Sequence, residues 1–323
     1  MAELILELFS EEIPARMQAK AAADLERLFC AGLRRAGLAF GASRAYATPR
    51  RLTLHVADMA RETEAVREEL KGPRTDAPAQ ALDGFLRKTG LTRDRLETRE
   101  DKKGAVFFAV IERPGRAARD VISELAPEVL GGFPWPKSMR WGAGDFRWVR
   151  PLRSILCVLA DDDGAEVPAF EAGGVSSGDV TYGHRFLDRD RRSGAPRARQ
   201  VASFAEYLAA MKAGKVTLDG AERAKAIDRG ARRLAKAAGL ELLEDPGLLR
   251  ETAGLVEHPV PLMGRVAEPF QSLPPEVLQT SMREHQKFFA LREPASGRVT
   301  RFVTVANIAA KDKGAAIIAG NER

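Results

Sequence analysis

Basic residues stand beside glycine, proline or aromatic residues at four places along this 323-residue chain. The four motifs are Thr48-Pro49-Arg50-Arg51-Leu52, Lys137-Ser138-Met139-Arg140-Trp141-Gly142, Gly183-His184-Arg185-Phe186 and Glu284-His285-Gln286-Lys287-Phe288-Phe289. Arginine guanidiniums bind phosphate through paired hydrogen bonds, and aromatic rings stack on nucleic-acid bases. The motifs therefore suit contact with a phosphate backbone and its bases better than they suit a buried core.

Segment 137–153 carries the densest mixture of positive charge and large aromatic rings. Its basic residues are Lys137, Arg140, Arg147, Arg150 and Arg153, and with the single acid Asp145 they give a local charge of +4. Trp141 and Trp148 lie among them, so the segment offers both cations and rings to a nucleic acid. The alternative is a strand edge whose arginines cover an aromatic core, and the pattern alone does not decide between the two.

The first and third motifs present cations at turns. Pro49 fixes a turn before a strand, which can place Arg50 and Arg51 at a sheet edge, although a solvated turn is the alternative. His184 follows a glycine and precedes Arg185, so both side chains are candidates for contact with phosphate. The arginines that follow are typical of a mobile basic loop.

The fourth motif places four polar residues between an apolar helix face and two phenylalanines. These residues are Glu284, His285, Gln286 and Lys287. A surface helix rarely ends so densely polar, so the segment is predicted to contact a partner protein, RNA or a neighbouring domain. Catalysis by His285 would need a nucleophile or a metal ligand beside it. The pair Glu284-His285 lacks the second histidine of a His-Glu-x-x-His site.

The charge balance and the hydropathy pattern bound the partners and the compartment. Lys and Arg number 51 against 45 for Asp and Glu, and the resulting +6 favours a polyanionic partner only weakly. No apolar run reaches the ~20 residues of a membrane helix, so no membrane contact is expected. The first residues alternate like a strand and unlike a signal peptide. A cytoplasmic protein is the expectation.

Reactive groups are sparse, and no catalytic or metal-binding residue is assigned. Cys30 and Cys157 lie in apolar runs and are predicted to be buried, reduced thiols. With no Cys-x-x-Cys pair and four scattered histidines, a zinc site is not expected. The sequence lacks a phosphate-binding P-loop, a Gly-x-Gly-x-x-Gly turn and a Gly-x-Ser-x-Gly elbow.

Hydrophobic periodicity predicts the elements that must position these motifs. A strand at 4–9, a helix from Pro14 to Gly37 and a strand at 51–59 give a β-α-β opening. Further along, the pattern predicts helices near 82–90, 121–129, 203, 219–239 and 274–282, hairpins at 96–111 and 155–170, and paired strands at 288–291 and 302–305. Residues 62–78 are polar and are predicted to form a surface excursion. Capping boxes at Ser203 with Glu206 and at Asp219 with Glu222 open two of the later helices.

The predicted fold class is α+β, with mixed or antiparallel sheets flanked by helices. The polar stretch from Gly183 to Arg199 contains Gly194 and Pro196, and we place a domain boundary there. Residues 1–193 would form an α+β domain with the basic and aromatic segment. Residues 194–323 would form a more helical part with a β-hairpin. In the alternative arrangement, this part is nested with the first domain.

The order and spacing of the motifs resemble those of the β subunit of the bacterial heterotetrameric glycyl-tRNA synthetase. The resemblance continues through Glu11-Glu12-Ile13-Pro14-Ala15, Gly254-Leu255-Val256-Glu257, Leu273 to Leu278, Asn307-Ile308 and Gly320-Asn321-Glu322-Arg323. Phe9 and Ser10 replace the small Gly-Thr pair usual in that family, and His258 stands where a tryptophan is common. The chain is similar to the N-terminal half of that subunit, without the family's HD-type and anticodon-binding domains.

The resemblance implies a subunit of the ATP-dependent ligase that joins glycine to its tRNA, in an α2β2 assembly. It places ATP, Mg²⁺ and the aminoacylation site on the α subunit, so this chain alone is expected to bind no cofactor and to be inactive. It also implies an editing-type domain like that of phenylalanyl-tRNA synthetase. The predicted tRNA(Gly) contacts are Arg50, Arg51, Lys137, Arg140, Trp141, Arg147, Arg150, Arg153, His184 and Arg185.

Two other functions stay open at this point. One is an editing-type hydrolase that acts on misacylated tRNA, and the other is a structural adaptor that holds α subunits without touching RNA. The segment Glu284-His285-Gln286-Lys287 is predicted to contact either the α subunit or RNA. The sequence does not tell which of the basic residues touch tRNA.

Overall fold

The chain opens with the predicted strand, long helix and strand. The computed structural model describes residues 1–101 and 104–322, and its first elements are β1 (Ala2–Ser10), α1 (Ala15–Arg35), β2 (Ser43–Ala47) and β3 (Arg51–Met59). Pro14 precedes α1, where a fixed φ suits a helix start, and Gly37 follows it at φ 79°. β1 pairs antiparallel with β3, so that Leu6 lies opposite Leu54.

Residues 62–131 form a smaller sheet with two helices. Its elements are β4 (Val66–Arg74), α2 (Ala79–Thr89), β5 (Leu96–Asp101), β6 (Gly104–Arg113) and α3 (Ala118–Gly131), and the strand order is β4-β6-β5. The hairpin predicted at 96–111 is confirmed, and Lys102 and Lys103 of its turn lie outside the described residues. The surface excursion predicted at 62–78 is wrong in part, because β4 runs through it. The polar residues of this segment gave no strand pattern, although its backbone forms hydrogen bonds with β6.

The next segment completes the main sheet and adds a short ribbon beside it. Its strands are β7 (Leu152–Asp161), β8 (Gly164–Glu166), β9 (Glu171–Ala172), β10 (Val175–Gly178), β11 (Val180–Tyr182) and β12 (Ala198–Gln200). The main sheet runs β2-β3-β1-β7-β10-β9, with β8 paired to β7 and β11 paired to β12. The turn at Asp161–Gly164 is confirmed, but the strand predicted at 167–170 lies at 164–166 instead. Pro168 lacks the backbone N–H that a longer strand there would use.

The rest of the chain is more helical, as predicted, and carries its own sheet. Its elements are α4 (Phe204–Ala213), α5 (Gly220–Ala237), β13 (Glu241–Leu242), α6 (Pro246–Ala253), β14 (Val260–Arg265), α7 (Pro275–Ser281), β15 (Phe289–Arg292), β16 (Val299–Ala306) and α8 (Ala315–Glu322). The strands form an antiparallel sheet in the order β13-β15-β16-β14. Ser203 and Asp219 cap α4 and α5 through the backbone N–H groups of Glu206 and Ala221.

Hydrophobic packing confirms the α+β class and crosses the predicted boundary at residue 193. Tyr207 and Met211 of α4 are buried against Ile5 and Leu156 on one face of the main sheet. The opposite face packs against α1 and α3. A separate core joins α5 and α6 to the antiparallel sheet. Among the described residues, no helix combines the length and the apolar character needed to cross a membrane.

Candidate nucleic-acid interface

Residues from the first motif, the third motif and segment 137–153 meet at one surface pocket. We call it the arginine pocket; it has a volume of about 480 Å³ and is lined by Phe9, Glu11, Arg50, Arg153, Tyr182, Gly183, Arg185, Arg189 and Pro196. Arg50, Arg153 and Arg185 were predicted as RNA contacts from segments far apart in the sequence. The fold therefore gathers side chains that the sequence could only nominate one by one.

The main sheet positions Arg50 and Arg153. Arg50 lies in the turn between β2 and β3, where the Thr48 Oγ1 accepts a hydrogen bond from its backbone N–H at 3.1 Å. The Arg50 carbonyl in turn accepts one from the N–H of Ser10, at 2.7 Å. Arg153 stands near the start of β7, whose Leu152 pairs with Ser10 at the end of β1. Both arginines consequently flank the end of β1 on rigid backbone.

Two carboxylates hold the guanidiniums of the arginine pocket. Glu11 lies 2.7 Å from Arg153 and 3.6 Å from Arg50, and Glu12 lies 3.0 Å from Arg185. Burial opposes the charge of Glu11, but the hydrogen bond from Arg153 and the nearby arginines outweigh it and lower its pKa. Glu11 therefore stays ionised and keeps the cations in place.

Arg50 is packed closely yet incompletely satisfied. Its guanidinium carbon lies 4.5 Å from the centroid of the Phe9 ring, and its buried Nε has no hydrogen-bond partner. Burial lowers the Arg50 pKa, and the positive charges of Arg185 and Arg51 act in the same direction, while Glu11 and Glu257 oppose them only in part. An anion in the pocket would relieve this crowding of like charges.

Arg51 is buried, which corrects its prediction as an RNA contact. Its side chain is 0% exposed; Nη1 donates to Glu7 Oε2 and Nε donates to Glu257 Oε1, both at 3.0 Å. We call Glu7, Arg51 and Glu257 the buried bridge. Burial opposes the charge on Arg51, but the two carboxylates outweigh it and raise its pKa. Arg51 is the first residue of β3 and has no exposed surface, so it cannot reach a phosphate outside the protein, whereas Arg50 in the preceding turn lines the pocket.

Hydroxyl groups around the buried bridge hydrogen-bond its two carboxylates, while Arg51 Nη2 stays buried without a partner among the described residues. Glu7 accepts hydrogen bonds from Tyr207 at 2.5 Å and from Thr181 at 2.7 Å. Glu257 accepts one from Thr48 at 2.7 Å. The bridge thus ties β1 and β3 of the main sheet to the loop before β14. Its geometry is that of a structural ion pair and not of an open site.

His184 is also buried, with 1% of its surface exposed. Its prediction as a direct RNA contact is therefore corrected as well. Its Nε2 lies 2.9 Å from Asn307 Oδ1, and its Nδ1 accepts from the N–H groups of Phe186 and Leu187, both at 3.3 Å. The same Asn307 oxygen accepts from the N–H groups of Glu257 and His258. The imidazole shapes the turn that carries Arg185 and links it to Asn307, which directly follows β16.

In segment 137–153 the aromatic rings face the core. Trp148 is 1% exposed, and its ring lies 5.0 Å from that of Trp135. The half-buried Trp141 ring packs edge-on against Phe146 at 5.8 Å. This packing favours the alternative of an aromatic core covered by arginines, and little of Trp141 is left for stacking on a base.

The cations of that segment lie at the surface outside the lining of the arginine pocket, except Arg153. Arg140 pairs with Asp145 at 3.1 Å, and Arg147 contacts the Ser138 hydroxyl at 3.2 Å. Arg150 donates to the carbonyl of Val149 at 2.8 Å. Lys137 is exposed. Contacts between these residues and tRNA stay predictions.

The fourth motif forms a π-helical turn, Met282–Gln286, after α7. Glu284, His285 and Gln286 are exposed, whereas Lys287 pairs with Glu251 at 3.2 Å and adopts φ 61°. A π-turn is frequent at functional sites because it widens the backbone locally. The turn therefore displays three polar side chains on a constrained frame.

Catalytic groups are scarce in the structure. The described part of the chain holds no cluster of three or more His, Cys, Asp or Glu side chains arranged for a metal ion. Cys30 and Cys157 are free and buried, as predicted, and burial raises both thiol pKa values. The arrangement is suited to binding an anion and offers no evident nucleophile.

Sequence reasoning missed several residues of the pocket. Glu11 and Tyr182 adjoin recognised motifs, so their positions carried a usable signal. Arg189 was one of several arginines in a loop predicted to be mobile. It is held by hydrogen bonds to the carbonyls of Gly194 and Arg185 instead. Nothing in its sequence context distinguished it from its neighbours.

Comparisons with known proteins agree with one another. A family model described as "Glycyl-tRNA synthetase beta subunit" matches residues 4–323. The chain is 55% identical over 323 residues to the glycine–tRNA ligase beta subunit of Dinoroseobacter shibae, covering 100% of this chain and 44% of that protein. The corresponding subunits of Paracoccus denitrificans and Phenylobacterium zucineum are 53% and 52% identical; each match covers 100% of this chain and 46% of the relative. The chain spans less than half the length of these relatives.

Proposed function

The chain belongs to the glycyl-tRNA synthetase beta subunit family, and on that premise we propose that it is the tRNA-binding part of a glycine–tRNA ligase. The observation that carries the proposal is the convergence of Arg50, Arg153 and Arg185 at the arginine pocket. Guanidinium groups on fixed backbone are well suited to phosphate, and their charge attracts a polyanion over a distance.

The surface cations outside the pocket extend the proposed interface. Lys137, Arg140, Arg147 and Arg150 would contact the phosphate backbone and position the tRNA without reading its sequence. Trp141 would contribute less than predicted, because its ring is packed against Phe146. Arg51 and His184 act from below the surface: Arg51 donates a hydrogen bond to the carbonyl of Tyr182, which lines the pocket, and His184 shapes the turn that carries Arg185.

The exposed part of the π-helical turn is the proposed contact with the α subunit. Three polar side chains there, those of Glu284, His285 and Gln286, lie near exposed apolar groups on α7 and the segment before it. Those apolar residues are Phe270, Leu273 and Val277, exposed by 41% to 56%. An apolar patch with a polar rim is the usual composition of a protein–protein interface.

The chemistry is assigned to the partner. We propose an α2β2 assembly in the cytoplasm in which the α subunit holds ATP and Mg²⁺ and joins glycine to tRNA(Gly). The chain described here would bind no cofactor and would not activate glycine alone. Hydrolytic editing of misacylated tRNA has no support from a nucleophile or a metal cluster among the described residues. An adaptor role without RNA contact would leave the arginine pocket unexplained.

The proposal is tested by measuring tRNA(Gly) binding and glycine activation separately. The chain should bind the tRNA at low salt, with an affinity that falls steeply as salt rises because phosphate contacts release counterions. Glycine-dependent pyrophosphate exchange should require the α subunit. Absence of tRNA binding at low salt, both alone and with the α subunit, would refute the RNA-binding role. Pyrophosphate exchange by the chain alone would refute the assignment of the chemistry.

A further inference from the structure

The charges of the arginine pocket do not balance. Four guanidiniums line it or face it, those of Arg50, Arg153, Arg185 and Arg189. The carboxylates paired with them are Glu11 and Glu12. Arg189 donates to the backbone carbonyls of Gly194 and Arg185, which carry no formal charge. The guanidiniums of the pocket therefore outnumber the carboxylates paired with them by two.

A further acid in the same loop, Asp188, is already engaged. Asp188 is buried and forms a two-pronged pair with Arg199, at 2.7 and 3.0 Å. Arg197 also approaches it, at 3.8 Å. Asp188 thus has no capacity to neutralise the arginines of the pocket.

The shape of the pocket favours a chain end. Its volume of about 480 Å³ is at the lower end of the range typical of sites for small ligands. A phosphodiester inside a duplex is flanked on both sides by further nucleotides, and both must clear the rim of the depression before that phosphate reaches its floor. A terminal phosphate has one such neighbour and can enter while the helix stays outside.

The pocket also offers an apolar wall beside the cations. The rings of Phe9 and Tyr182 lie 5.9 Å apart, and Pro196 lines the same depression. Phe9 is buried, and its ring is covered by Arg50 and Arg51. Tyr182 and Pro196 are therefore the apolar groups left to contact a sugar or a flat base joined to the phosphate. Free phosphate would use only the charged half of this lining.

We propose that the arginine pocket binds a phosphate monoester dianion, and that this group is the 5′-terminal phosphate of the tRNA. The inference rests on the proposed tRNA-binding function and adds the chemical identity of the group bound. A phosphate monoester carries about −1.5 to −2 charges near pH 7, whereas each internal phosphodiester carries one. The dianion therefore matches the excess of two guanidiniums over the carboxylates paired with them.

Glu11 and the arginines have different roles in recognising the anion. The Glu11 carboxylate keeps Arg50 and Arg153 extended towards the pocket, which lowers the entropy lost when an anion binds. Arg185 and Arg189 belong to the loop that follows β11. Arg50 and Arg153 are instead carried by the main sheet and its turn. Crowding of like charge, which contributes to the lowered Arg50 pKa, is relieved when the dianion enters.

The test compares two forms of one RNA. The same tRNA(Gly) is prepared with a 5′-phosphate and, after phosphatase treatment, with a 5′-hydroxyl, and the affinity of the chain for each is measured by fluorescence anisotropy. Removal of the phosphate should weaken binding about tenfold, because charge-assisted hydrogen bonds are lost together with two charges. The double variant Arg185→Gln, Arg189→Gln should bind both RNAs with equal, reduced affinity.

A matched control keeps the test specific. Arg233→Gln removes an exposed arginine of α5 outside the pocket, and this variant should retain the tenfold preference. Inorganic phosphate should compete better against the 5′-phosphorylated RNA than against the 5′-hydroxyl RNA. Equal affinity of the wild-type chain for both RNAs would overturn the inference and leave the tRNA-binding function standing. Failure to bind either RNA would instead overturn the proposed function.

Discussion

Arg50 and Arg51 are neighbours in one motif, yet they belong to two regions with opposite uses of charge. In the arginine pocket, cations exceed the carboxylates paired with them, and the side chains of Arg153 and Arg185 are 59% and 36% exposed. In the buried bridge, Arg51 is enclosed between Glu7 and Glu257, and its side chain is 0% exposed. Arg50 lies in the turn before β3 and Arg51 is the first residue of that strand, so a step of one residue separates a binding group from a structural one. Residue type alone therefore does not identify an RNA contact.

The largest expected difference in stability between the two regions is at Arg51. Arg51→Ala should lower the free energy of unfolding by about 3–5 kcal/mol, because it leaves two carboxylates buried without a cation. Arg185→Ala, in the arginine pocket, should change it by less than about 1 kcal/mol. Urea denaturation of both variants measures the difference. Similar stability losses in the two would mean that the regions do not differ as described.

The pH dependence of stability sharpens the contrast. Burial alone would raise the Glu257 pKa, but Arg51, Thr48 and His184 outweigh it and lower the pKa below 4.5 in the folded protein. A lowered pKa means that this contribution to stability is present above about pH 4.5 and is lost as pH falls further. Wild-type protein should therefore lose stability on acidification through this range.

A variant isolates the carboxylate responsible. Glu257→Gln should be less stable than wild type at pH 7, and its urea midpoint should fall less between pH 5 and pH 3. Glu11 also has a lowered pKa but is solvent-accessible, so Glu11→Gln should leave most of the acid sensitivity in place. An unchanged acid profile in the Glu257 variant would contradict the role of the buried bridge.

Segment 137–153 provides an intermediate case, with surface cations over an aromatic core. Arg140→Ala and Arg150→Ala should each weaken tRNA binding and lower the salt slope by about one per lost phosphate contact. Melting temperatures should hardly change, because the exposed Arg140 pair with Asp145 is screened by water. Unchanged tRNA affinity with a large fall in melting temperature would show that these arginines are structural.

The smallest expected effect lies at the π-helical turn. His285→Ala in the full ligase should lower aminoacylation by a few-fold, through KM for tRNA or through the affinity between subunits. The imidazole is exposed and has no nucleophile assigned beside it, so kcat with saturating partners should stay unchanged. Lys287→Ala is the matched variant, since Lys287 is paired with Glu251. A fall confined to kcat would mean that His285 has a chemical role.

Local sequence signals predicted much of the fold but little of its polar interior. Period-2 and period-3.6 patterns located β1, α1 and β3, since apolar spacing is set by the backbone itself. They missed β4, where polar side chains concealed a strand that depends on its partner β6. The π-helical turn was also missed, since Glu284 to Gln286 have ordinary helical composition.

The candidate site shows the same limit. Arg50, Arg153 and Arg185 were identified by type, but their meeting at one pocket depends on strand pairing between β1 and β7. The burial of Arg51 depends on Glu257, which lies 206 residues away. The burial of Trp148 depends on a core built from α1 and α3. Long-range partners decide which polar residues turn inward, and one sequence does not specify them.

The buried bridge can form completely only late in protein synthesis. Arg51 leaves the ribosome 206 residues before Glu257 does, an interval of about 10–40 s at roughly 5–20 residues per second. During that interval the nascent chain can pair Arg51 with Glu7 alone. The second carboxylate arrives only when the loop before β14 has emerged. Nascent chains paused within this window should therefore be the ones that chaperones and proteases engage most readily.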